Sequence, residues 1–138
     1  MRIEDARRLH ALADARYQAR QQLFQSLLQR ENVVRADLEK LDRQARSAEQ
    51  SADGTMQSIG ADVIWKTWLG KTRKSLNMQL ALILAEKDQH MRQIKQAYGK
   101  VLATEEILKG LLSERNKTLR KAELDAAVEI AILDEKQQ

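Results

Sequence analysis

The residues to test first for chemistry are Gly70-Lys71-Thr72, the histidines His10 and His90, and the adjacent carboxylates Glu105 and Glu106. Gly70-Lys71-Thr72 matches the end of a loop that cradles phosphates with its backbone amides and a lysine. That loop needs a glycine five residues before Gly70, where Trp65 stands, and a strand to aim it. A metal centre needs several imidazole, thiolate or carboxylate ligands at one point. The chain has no cysteine, and its two histidines lie on segments that meet at different places. Glu105 and Glu106 lie on a wet helix with no pocket to raise a carboxyl pKa for acid–base work. Neither a cofactor nor a metal is expected, and the chain is not expected to be an enzyme.

The elements that carry these residues explain why no chemistry converges. The 138-residue chain has no proline and one short glycine-bearing break. Before the break, one set of positions holds Ile3, His10, Tyr17, Phe24, Glu31, Leu38, Ala45 and Ala52. The set interleaved with it holds Ala6, Ala13, Arg20, Leu27, Val34, Leu41 and Ala48. After the break the apolar stripe reads Leu80, Leu84, Met91, Ile94, Tyr98, Val101, Leu108, Leu112, Leu119, Ala126 and Leu133. Steps averaging 3.5 residues keep apolar groups on one seam of a helix, which a coiled-coil partner then covers. The expectation is an all-α protein: a two-helix antiparallel coiled-coil hairpin over 1–138. Its helix 1 spans about 3–52, its tip about 53–61, and a longer helix 2 about 62–135. Asp53-Gly54 suits the turn, with Gly54 as the cap of helix 1 and Ser58 or Asp62 as the N-cap of helix 2.

The two lengths are unequal. At 1.5 Å per residue the helices would be roughly 75 Å and 110 Å long, which sets Ile3 near Gly110. Residues from about 112 onward then overhang, yet their stripe continues through Leu112, Leu119, Ala126, Ile130 and Leu133. An exposed apolar stripe of that length is unfavourable in water, so it predicts another protein or another copy against it. Polar residues at seam positions, Arg20, Glu31, Lys87, Glu105 and Arg115, read as groups that keep their charges wet and fix the register.

Charge is distributed unevenly. Residues 63–100 carry eight Lys/Arg against two acids, and residues 123–138 carry five acids against Lys136. The opening MRIEDARRLH lacks the apolar core of a secretory signal, and the apolar run Leu80–Ala85 is far too short to span a bilayer. A cytoplasmic protein, peripheral to a membrane at most, is expected. Near the tip, Ile64, Trp65, Trp68 and Leu69 crowd the first turns of helix 2 beside Lys66, Lys71 and Arg73. Two helices offer little to cover two indoles, so two readings stand: the cluster caps the hairpin against Ala48, Ala52 and Met56, or it is an interface anchor for another protein.

These features together resemble the FliJ family of bacterial flagellar export stalks and its YscO-type injectisome relatives. The resemblance is carried by a helix of about 50 residues, a tip followed by tryptophan, and a longer second helix that is basic and then acidic. The stretches Glu105-Glu106-Ile-Leu-Lys109-Gly-Leu-Leu-Ser-Glu114-Arg115 and Arg120-Lys121-Ala-Glu123-Leu-Asp125 are similar to that family's C-terminal helix. The resemblance implies a non-enzymatic stalk inserted into a hexameric export ATPase, without chemistry of its own. It also implies contact with the export-gate membrane protein, with export chaperones as further partners. By position, Trp65, Trp68, Leu69, Thr72 and Leu76 would meet the gate, and Leu112, Leu119, Ala126, Ile130 and Leu133 the ATPase ring or a second copy. Two other readings stay open: an assembly coiled coil oligomerising through helix 2, and a basic helical arm for RNA. Nucleic acid is not the expected partner, because the tryptophans precede most of the positive charge and the tail is acidic.

Overall fold

A computed structural model of the chain describes residues 1–50 and 56–137, with side chains of the second stretch described from Gly60 onward. It contains two α-helices packed antiparallel, α1 (Ile3–Gln50) and α2 (Met56–Gln137). Helix α1 starts with the Ala6 N–H donating to the Arg2 carbonyl at 3.0 Å, and Glu4 and Asp5 lie in its first turn, facing the positive end of the helix dipole. The expected turn at Asp53-Gly54 lies outside the described residues. Helix α2 begins earlier than expected. Ser58 and Asp62 lie inside it rather than capping it, and Asp62 pairs with Lys66 one turn on at 3.2 Å. No proline opposes this extension, and Gly60 alone costs a helix only about 1 kcal/mol.

The packed residues fall into two units, each made of a piece of both helices. In the unit Ala19–Ile94 the core is Leu27, Val34 and Leu41 of α1 with Ile83 of α2. Register is held there by polar pairs across the seam. Arg20 Nη1 donates to Gln93 Oε1 at 2.8 Å, Arg30 pairs with Glu86 at 3.3 Å, and Arg73 with Asp42 at 2.6 Å. The most enclosed pair is Glu31 with Lys87, at 2.8 Å, and Arg35 takes the second carboxylate oxygen at 3.2 Å. In the unit Met1–Gln18 with Lys95–Gln138, the buried residues are Ala6 and Ala13 of α1 and Val101 and Thr104 of α2. His10 Nδ1 lies 3.1 Å from Thr104 Oγ1, and the Tyr17 and Tyr98 rings meet at 5.3 Å with a 42° tilt. In both units residue numbers fall along α2 as they rise along α1, which is the antiparallel register.

Every described α1 seam position is buried or half-buried. In α2 one of the two interleaved sets of seam positions is displaced by one residue from the stripe read in the sequence, whereas Leu80, Ile94, Val101 and Leu108 are buried or half-buried as expected. The seam runs through Ile83, Lys87, His90 and Ile94 in one unit and Ala97, Val101, Thr104, Leu108 and Leu111 in the other. Leu84, Met91 and Tyr98 are flank residues instead, 40%, 37% and 47% exposed. Hydrophobicity alone misassigned that set because its true members include His90 and Thr104. Thr104 is made compatible with burial by donating its hydroxyl to the Lys100 carbonyl at 2.8 Å.

The lysine hydrogen bond from Lys87 holds the Glu31 carboxyl below its ordinary 4.5, against the opposing effect of desolvation and with help from Arg35. A carboxyl whose folded pKa is depressed adds stability above its unfolded pKa and loses it as pH falls through the folded one. Thermal melts from pH 6 down to pH 3 should therefore show a steeper loss for the native chain than for Glu31→Gln. Equal slopes would show that the pair contributes no pH-dependent stability. His90 is a separate case, because its Nδ1 is buried with no hydrogen-bond partner among the described residues. Replacing it with leucine removes that unmet group from a seam position, and His90→Leu should raise unfolding stability by about 1 kcal/mol.

Candidate functional site: exposed apolar faces of the second helix

The candidate chemical residues stay apart. Gly70, Lys71 and Thr72 lie within α2, so their amides serve the helix rather than a phosphate. His10 is engaged with Thr104, Glu105 with Lys109 at 3.5 Å, and no group of three metal-ligating side chains occurs among the described residues. No described helix is long and apolar enough to cross a membrane. What the described residues offer instead is exposed apolar surface, and two stretches of it lie on α2.

The first lies in the unit Ala19–Ile94. Trp65, Leu69, Thr72 and Leu76 are half-buried, on the same four-and-three repeat that leads into Ile83. Trp68 is different. It is 47% exposed and stacks on Trp65 at 5.1 Å, and Val63 and Ile64 beside it are more exposed still. Ile64, Trp68, Lys71, Ser75, Met78 and Leu82 follow one another at steps of four and three, forming a second stripe beside the seam. Ile64, Met78 and Leu82 are all at least 60% exposed. At Leu82 this stripe reaches a shallow groove of about 420 Å³ lined by Val33, Val34 and Ile83 and crossed by the Arg30–Glu86 pair. The sequence reading included Trp68 but missed Met78, Leu82 and Val33. A search for a second heptad repeat, offset from the first, would have found the α2 members.

The second place lies in the unit that contains the C-terminal part of α2. Leu111 and Leu112 are half-buried, and every residue from Ser113 to Gln137 is exposed. Leu119, Ala126, Ile130 and Leu133 form the stripe read from the sequence. A further row, Leu124, Val128 and Ile132, recurs every four residues and adds a second apolar face. Each of these three is at least 47% exposed. A helix apolar on more than one side is normally covered on more than one side.

No family model and no solved structure matches this chain, and no curated protein is significantly similar to it. The positive charge between residues 63 and 100 is partly engaged. Lys66, Arg73, Lys87 and Arg92 pair with Asp62, Asp42, Glu31 and Asp88, which weakens the field available to a phosphate backbone.

Proposed function

We propose that this chain is a non-enzymatic coiled-coil coupling protein of the FliJ/YscO type. In this role it binds a hexameric export ATPase through the exposed end of α2 and an export-gate protein through the tryptophan end. The observation that carries the reading is the run 113–137, a helix of seven turns that keeps two apolar faces in water. A protein interior or a ring of subunits would cover both faces, whereas a single flat surface would cover one. The resemblance in helix lengths, tryptophan position and charge order supplies the identity of the partners. The assembly reading shares the same observation and differs only in what covers the helix. The RNA reading has less support, since half of the basic residues in 63–100 are in ion pairs.

The test is affinity capture with the full chain from a lysate of its own source cell, followed by identification of what co-purifies. A ring-forming ATPase of an export system is the expected product. Recovery of nucleic acid, or of no ATPase under conditions that keep such rings assembled, would overturn the reading.

A further inference from the structure

We propose that, before any other partner arrives, the exposed end of α2 pairs antiparallel with the same segment of a second copy, about a two-fold axis at Ala126. This does not rest on the ATPase reading. It follows from the order of charges along a segment whose helical path and exposure are both established. Residues 114–121 carry four bases, Arg115, Lys117, Arg120 and Lys121, against one acid, Glu114. Residues 123–135 carry five acids and no base. A parallel pair would lay base on base and acid on acid along its whole length. An antiparallel pair lays the basic half of each copy on the acidic half of the other, and like charges brought together across an interface are strongly disfavoured.

One register pairs the apolar positions and sets each basic half against an acidic half. Placing Ala126 against its own mate sets Leu119 against Leu133 and Ala122 against Ile130, each twice by symmetry. The same placement brings Arg120 beside Asp134, Lys121 beside Glu129 and Glu114 beside Lys136 within one helical turn. Like charges approach as well: Asp125 meets its own mate and lies beside Glu129 of the second copy, and Arg115 lies beside Lys136, with Lys121 a turn from Asp125. The small residue at the axis lets the helices come close, and the large apolar residues lie toward the ends of the contact. This pairing uses the Leu119–Leu133 face, so it competes with any other protein that binds the same stripe.

The chain has no cysteine among its described residues or elsewhere, so single introduced thiols report the geometry directly. Full-length Ala126→Cys should form a disulfide dimer readily under mild oxidation, because its two thiols meet at the axis. Leu119→Cys and Leu133→Cys should each crosslink poorly alone and well when mixed. Sedimentation equilibrium supplies the second arm. Arg120→Glu/Lys121→Glu and Glu129→Lys/Asp134→Lys should each lose self-association by on the order of tenfold or more, and an equimolar mixture should form a heterodimer. These positions are exposed, so helicity serves as a check that the hairpin persists. A chain that stays monomeric at hundreds of micromolar overturns the proposal. So does equal self-crosslinking at positions 119, 126 and 133, which marks a parallel pair, and so does a dimer indifferent to the charge reversals.

Discussion

A chain that stops at Leu112 should fold as the full protein does and lose its binding partner. Among the described residues every buried one lies before that point, from Ala6 to Thr104, so the deletion removes none of them. Thermal unfolding should move by no more than a few degrees, since surface changes away from special features usually stay within about 0.5 kcal/mol. Binding, on the proposed function, should lose a whole interface. Capture of the ATPase ring by the truncated chain should fall below detection at protein concentrations where the full chain binds, measured by sedimentation or surface plasmon resonance. If the shortened protein captures the ring as well as the full one, residues 113–138 are only a solvated helix end. If it fails to fold, the overhang holds a structural contact not evident in its exposure.

The second large effect is expected at the tryptophan end, where the structure changes which residues make an informative test. Trp65 and Leu69 are half-buried on the seam repeat, so removing them would loosen the hairpin as well as any interface. Ile64 and Trp68 are exposed neighbours on the adjoining stripe and leave every charge in place when truncated. Losing a central apolar anchor commonly costs about 2 kcal/mol or more, near thirtyfold in affinity. Ile64→Ala/Trp68→Ala should therefore weaken binding to an export-gate protein by at least that factor at fixed ionic strength, with helicity unchanged. Salt titration separates the alternative. Phosphate binding falls steeply with salt and depends on Lys and Arg rather than on indoles. RNA binding at micromolar protein with a steep salt slope, together with gate binding untouched by the double substitution, would replace the stalk with a nucleic-acid arm.

The architecture was legible because a coiled coil declares itself by period. In α1 the seventh-residue repeat from Ile3 to Ala45 and its partner from Ala6 to Ala48 survive even where Glu31 or Arg20 interrupts them. In α2 the set through Leu80, Ile94, Val101 and Leu108 was read correctly, but the other slipped by one residue, since Leu84, Met91 and Tyr98 outweigh His90, Ala97 and Thr104 in any hydrophobic count. What restores the right face is pairing across helices, Glu31 with Lys87 and His10 with Thr104, which one helix read alone does not contain. The surface was legible in part. The stripe through Leu119 and Leu133 stands out at heptad spacing, while Leu124, Val128 and Ile132 repeat every four residues and escape a search tuned to seven. At the tip, Trp68 and Trp65 are only three residues apart, and only their different exposure separates an outward anchor from a seam residue.

Among the described residues, no large side chain is completely enclosed in either unit, and the most shielded, such as Leu27 and Leu41, still touch water at one edge. A seam of this kind has no interior to lose. Each layer rests on the layer before it and the layer after it, so opening is expected to be local and to begin where the seam ends. Within each unit the protein behaves as a zipper, in which teeth can part and close again while those a few turns away stay shut.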